Sequence, residues 1–258
     1  MKRISVWLLT AAMLLSLCAC GGKAEPAATL TVFAAASLQE TLTEISTAFE
    51  AAHKGVEVVC NFDSSGTLKT QIESGAVCDV FISAAQKQMD ELDCVAEDRH
   101  MDLLENKVVL AVPDGNPAAV VDFADMAARL ASGELFLAMG NADVPVGQYT
   151  QKIFAHFGLD EATLAADGCL TYGANAKEVT IHVAEAMADC GVVYSTDAVS
   201  AHLTVVDTAT EAMCGRVIYP AAVLTASQQP ELAQKFLDFC RSEAAMEIFT
   251  SVGFAPAV

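Results

Sequence analysis

From Thr29 onward, short β-branched apolar runs alternate with segments whose apolar residues recur at helical spacing, and this alternation limits the possible folds. Residues 29–34 read as a strand. Residues 38–52 read as a helix with Leu42, Ile45 and Phe49 on one face, and residues 56–62 as a second strand. A helix over 67–73 and a strand over 79–83 follow. Such a βαβαβ order implies a parallel sheet covered on both faces. The pattern restarts after a strand over 107–113 that ends in a Pro-Asp-Gly-Asn-Pro breaker. Strands then read at 135–139, 191–194 and 216–224, and helices at 148–157, 176–188, 230–241 and 244–250. Two α/β lobes account for this length. Lobe 1 is expected over 29–106 and 221–258, because the last apolar segments must return to cover the first sheet. Lobe 2 is expected over 107–220.

The N-terminus points to export. Lys2 and Arg3 precede an apolar run, Ile4 to Leu17, that is shorter than the ~20 residues of a spanning helix. A charged start, a short apolar stretch and a small-residue exit make a secretory signal. The exit, Leu17-Cys18-Ala19-Cys20 followed by Gly21-Gly22, resembles a bacterial lipobox. The expectation is a signal peptide over 1–19, lipidation at Cys20, and a tether over 20–28 that holds an extracytoplasmic protein on the membrane.

Without Lys2 and Arg3 the chain carries 12 basic residues against 33 acidic ones. Nucleic acid needs a basic footprint, so it is excluded as a partner. The acidic balance does not exclude an anionic ligand, because exposed charges are screened over ~8 Å at physiological salt. Seven cysteines, Cys60, Cys78, Cys94, Cys169, Cys190, Cys214 and Cys240, follow the lipobox with no CxxC spacing. The five histidines are dispersed, so neither residue type suggests a metal site.

Ligands of α/β folds sit beyond the carboxyl ends of strands, where helix N-termini converge. Five strand-to-helix junctions carry polar donors. Ser37 with Glu40 reads as a capping box whose hydroxyl can still donate outward. Ser64-Ser65-Gly66-Thr67 puts hydroxyls and a close-approach glycine before a helix, and Val144-Pro145-Val146-Gly147 opens another at a proline. Asn175 to Val179 is a fourth helix start. Tyr194-Ser195-Thr196 ends a strand in a phenol and two hydroxyls. The set offers hydroxyls and main-chain N–H groups without convergent Lys or Arg. That chemistry suits an anion with no proton of its own, which can only accept hydrogen bonds.

These segments resemble the periplasmic molybdate-binding protein family of ABC transporters. The likeness runs through Thr31 to Leu38, Ser64 to Leu68, Asp79 to Ala84, Val144 to Tyr149, Val193 to Ala198 and the end, Ala245 to Phe249 with Gly253-Phe254. The resemblance implies a two-lobed periplasmic-binding-protein fold, each lobe a mixed, mainly parallel sheet flanked by helices. It implies capture of molybdate or tungstate between the lobes, delivery to an ABC permease, a monomer, no enzymatic activity and no cofactor. Carried over by position, the ligand contacts are the Ser37 and Ser65 hydroxyls and N–H groups, the Val146 and Val179 main-chain N–H groups, and the Tyr194 phenol. Asp63 departs from the family pattern by placing a carboxylate beside the second serine pair.

Two alternatives remain open at this level. Sulfate, phosphate or a small organic anion would suit the same fold, and phosphate keeps a proton at neutral pH that a carboxylate such as Asp63 could accept. A serine hydrolase built on Ser37 or Ser65 would need a base within hydrogen-bond reach, and no Gly-x-Ser-x-Gly elbow or other motif supplies one.

Overall fold

A computed structural model describes residues 27–257. The signal segment, Cys20 and the tether up to residue 26 lie outside the described residues. Strand β1 (Ala28–Ala35) leads through a 3-10 turn (Ala36–Leu38) into helix α1 (Gln39–Ala52). Ala28 therefore belongs to the first strand and not to the tether. Strands β2 (Val56–Asp63) and β3 (Val80–Ile82) both pair with β1 in parallel. Helix α2 (Ser65–Glu73) connects them, and a short α3 (Gln86–Asp90) leads to β4 (Val95–Asn106).

The chain crosses to a second sheet at Lys107. There β5 (Val108–Val112), α4 (Phe123–Ala131), β6 (Leu137–Gly140), α5 (Pro145–Phe157) and α6 (Glu161–Ala166) come first. Strand β7 (Leu170–Gly173), α7 (Ala176–Ala184), β8 (Cys190–Tyr194), α8 (Ser195–Ser200), β9 (Thr204–Thr208) and α9 (Glu211–Cys214) complete the second lobe. The chain returns through β10 (Val217–Leu224), α10 (Pro230–Cys240), α11 (Glu243–Ser251) and β11 (Ala255–Pro256).

The first sheet has the order β11-β4-β10-β3-β1-β2 and the second β7-β6-β8-β5-β9. Each is mixed. Strands β2, β1 and β3 run parallel, while β10 pairs antiparallel with both β3 and β4. In the second sheet β6 is parallel to β7 and β8, and β5 is antiparallel to β8 and β9. Strand β10 joins the first sheet from Val217 onward, opposite Asn106. Residues 217–220, read from the sequence as the end of lobe 2, thus pair in the first sheet. A register shift between Tyr219 and Pro220 lets the proline, which lacks an N–H, sit inside that strand.

The apolar face of α1 is buried as its spacing predicts: Leu42, Ile45 and Phe49 are fully covered, worth ~1.5–3 kcal/mol each. Phe236 and Phe239 of α10 meet the Phe49 ring edge-on at 5.2 and 5.4 Å, so the C-terminal helices cover the first sheet. Asp79 ties the same lobe together. It accepts the Thr31 N–H at 2.9 Å and the Ser227 hydroxyl at 2.6 Å. All seven cysteines of the described residues are free. Cys240 is fully buried, and Cys60 is half-buried. No described helix is long and apolar enough to cross a membrane.

Candidate functional site

Five helix or turn starts meet at one cavity of about 190 Å³ between the lobes. From the first lobe it is lined by Ala35, Ala36, Ser37, Asp63, Ser64, Ser65 and Ala84. From the second come Val144, Pro145, Ala176 and Tyr194. The geometry follows from the strand ends: β1, β2 and β8 all deliver their last residue to this point.

Ser65 opens α2. Ser64 is the cap, its hydroxyl accepting the Thr67 N–H at 3.1 Å, and Leu68 N–H bonds the Ser64 carbonyl. The N–H groups of Ser65 and Gly66, in the first turn, have no carbonyl of their own helix to reach. The Ser65 hydroxyl oxygen accepts the Ala84 N–H at 2.9 Å. A main-chain N–H can only donate, so the Ser65 proton is left to point elsewhere.

Ser37 differs from its capping-box reading. Helix α1 begins at Gln39 with Leu38 as its cap, and no side chain closes that cap. Ser37 lies one residue earlier, in the 3-10 turn, and its hydroxyl bonds the Tyr219 hydroxyl at 2.9 Å. The core phenol, absent from any local pattern, outcompetes the helix end for this side chain.

Tyr194 is 1% exposed, and its hydroxyl has no hydrogen-bond partner among the described residues although it lines the cavity. Its ring meets Tyr219 edge-on at 5.7 Å and Tyr149 at 6.4 Å. Burial, with the neighbouring phenols and Asp197, holds its pKa well above the usual 10, so the group stays a protonated donor.

The two main-chain candidates fare differently. Val146 is the second residue of α5 after Pro145, within the turn whose N–H groups lack helical partners. Its side chain is fully buried away from the cavity, which Val144 and Pro145 line. Val179 is not brought to the cavity. It lies four residues past the Asn175 cap, and its N–H bonds the Asn175 carbonyl at 3.3 Å. Ala176 takes that place at the start of α7. Asn175 accepts the Glu178 N–H at 3.1 Å, and Glu178 accepts the Ala174 N–H at 2.7 Å. The cap signal Asn-x-x-Glu was legible, and it puts the open donors at 176 and 177 rather than at 179.

Among the described residues no Lys or Arg lines the cavity. Lys177, next to Ala176, turns away to Glu40 at 2.7 Å and Asp197 at 3.2 Å. A roomier cleft of about 940 Å³ shares Pro145 with the cavity and carries Lys87, Lys152 and Arg216. It lacks the serines and Tyr194. We place the chemistry in the smaller space, where buried donors converge. Ser37 and Ser65 bond a phenol and a main-chain N–H, not a histidine or carboxylate that could act as base. Among the described residues no group of His, Cys, Asp or Glu could hold a metal ion.

Two lobes of mixed sheet with a donor-lined cavity between them define a solute-binding protein. The chain matches the bacterial extracellular solute-binding protein family over residues 30–255 and belongs to it. It is 35% identical to the molybdate-binding protein ModA of Escherichia coli, over 96% of this chain and 97% of that protein. It is 32% identical to YvgL of Bacillus subtilis, described as an ABC transporter substrate-binding lipoprotein, over 98% of each chain. The Azotobacter vinelandii periplasmic molybdate-binding protein shares the fold with a TM-score of 0.76 at 22% identity, over 89% of this chain and all of that one. The chain is thus a substrate-binding protein of the ABC-transporter class and groups with the molybdate-binding family.

Proposed function

We propose that this protein captures molybdate or tungstate between its lobes and passes it to an ABC permease, as a monomer held on the outer face of the membrane by lipid at Cys20. The observation that carries the ligand reading is the Tyr194 hydroxyl, buried, protonated and unpartnered beside the cavity. Burying a hydroxyl without a partner costs free energy, and an acceptor-only ligand would remove that cost. Ser37 and Ser65 line the same space with hydroxyls, the Ser65 and Ala176 N–H groups in the first turns of α2 and α7 add donors, and the Val146 N–H of α5 is a further candidate. Neutral donors suit a cargo that must be released, since no fixed salt bridge has to break. The identity to ModA proteins over nearly the whole chain supports the same cargo.

A second reading rests on Asp63, whose carboxylate lines the cavity while accepting the Ser64 N–H at 2.7 Å. A carboxylate facing the ligand would favour a proton-bearing anion such as hydrogen phosphate. Equilibrium dialysis against molybdate, tungstate, sulfate and phosphate, with the bound element counted, separates the readings. Retention of molybdenum or tungsten at one atom per chain supports the first. Retention of phosphorus alone would replace it with the second.

A further inference from the structure

The second hydroxyl behind the cavity, Tyr219, is held by a residue at the point where the chain crosses between lobes. Asn106 ends β4 and is 3% exposed. Its Oδ1 accepts the Lys107 N–H at 2.8 Å and the Ser195 hydroxyl at 3.0 Å. The main-chain N–H of Lys107 can only donate, so the amide cannot be flipped without facing donor to donor. Its Nδ2 must then donate, to Thr196 Oγ1 at 3.0 Å and to Tyr219 Oη at 3.1 Å. All four bonding positions of the amide are used.

That orientation sets the direction of the next bond. Tyr219 is fully buried and accepts from Asn106, and the acceptor at hydrogen-bond distance for its own proton is Ser37 Oγ at 2.9 Å, closer than the neighbouring Tyr194 hydroxyl, which makes no such bond. Ser37 accepts from the phenol, and its proton is left for the cavity. Ser65 reaches the same condition through the Ala84 N–H. We propose that Asn106 and Tyr219 are positioning residues that fix Ser37 as an obligatory donor, so that the site selects an oxyanion bearing no proton at that oxygen. This rests on the oxyanion reading above and adds how the site senses the protonation of its ligand. A hydrogen-bearing oxygen at Ser37 would set proton against proton. A hydrogen bond in such a chain is also strengthened by the one behind it.

Calorimetric titration with molybdate, sulfate and inorganic phosphate at pH 7.5 tests this in wild type and four variants: Tyr219→Phe, Ser37→Ala, their combination, and Asn106→Asp. The aspartate has the shape of the asparagine but only accepts, so it would draw the Tyr219 proton and turn the Ser37 proton away from the cavity. Asn106→Asp is expected to weaken molybdate about ten- to hundredfold, the worth of one hydrogen bond to a charged ligand. The molybdate-to-phosphate affinity ratio should fall at least as far. Tyr219→Phe should narrow the same ratio, and should change molybdate affinity less than about twofold once Ser37→Ala is present. Melts of the ligand-free variants confirm that each is folded, and Tyr219→Phe keeps the ring that packs on Tyr194 and Phe254. An unchanged ratio in both Asn106→Asp and Tyr219→Phe overturns the relay. So does an equal loss from Tyr219→Phe with and without Ser37→Ala. A wild type that binds none of the three anions overturns the oxyanion reading itself, and the relay with it.

Discussion

Gly66 of the first lobe lies directly against the main chain of Asp143 in the second: a Cβ built on Gly66 would sit 2.2 Å from the Asp143 carbonyl oxygen. The lobes close on each other at the start of α2, one residue beyond Ser65. Gly66 has ordinary helical geometry there, so alanine would be tolerated locally and would even favour the helix. Gly66→Ala should therefore force the lobes apart at this contact while keeping helix α2, and weaken anion affinity by about tenfold or more, ~1.4 kcal/mol. Calorimetry paired with a thermal melt checks this. Equal affinity in the two proteins would mean that closure does not depend on this contact.

Ser65 and Tyr194 should separate in stability because one hydroxyl is used within the protein and the other is not. Ser65→Ala leaves the buried Ala84 N–H unpaired and should cost ~1–3 kcal/mol in the ligand-free protein. Tyr194→Phe removes a hydroxyl with no partner, and should leave stability equal or higher by ~1 kcal/mol. Denaturant melts without ligand give both values.

Asp197 supplies a pH dependence. Burial raises its pKa to about 6 from an ordinary 3.8, against the pull of Lys177 3.2 Å away, and Glu40 adds to the rise. Between those two values the unfolded chain loses this proton while the folded chain keeps it. Its contribution to stability therefore falls as pH rises through that window and is level above it. Lys177→Met removes the cation that offsets the buried carboxylate. The variant should lose about 3 kcal/mol at pH 8, where Asp197 would be ionised in the wild type, and far less at pH 5, where it is protonated. An equal loss at both pH values would show that the ion pair is not the cause.

The anchor is tested at Cys20. Cys20→Ser should move the protein from the membrane fraction to the medium or periplasm without changing its molybdate titration. Retention of the variant on the membrane would remove the lipid from the account.

Strands such as β5 and β8 were legible because they are buried at every position and read as short unbroken apolar runs. Strands β4, β7, β9 and β11 were not. Strands β7, β9 and β11 lie at sheet edges, and β4 has only the two-residue β11 beyond it, so polar residues interrupt their pattern. Ser65 and Tyr194 were legible from their junctions, since a hydroxyl before a helix start is visible in one short segment. Ser37 was legible as a site residue but not in its bonding, because Tyr219 is 182 positions away. Asn106 gave no signal: its role comes from the crossover between lobes, which no local spacing encodes. Val179 follows from the family's positions, whereas the Asn175 cap and Glu178 mark a first turn that brings Ala176 to the cavity.

The most direct test of the donor cage is a calorimetric molybdate titration of wild type beside Tyr194→Phe at pH 7.5. The wild type should bind one molybdate per chain tightly, and the variant should lose about ten- to hundredfold in affinity, because the lost bond is one made to a charged ligand. Equal molybdate affinity in the two proteins would contradict it, since the one buried phenol left open to the cavity would then not touch the ligand.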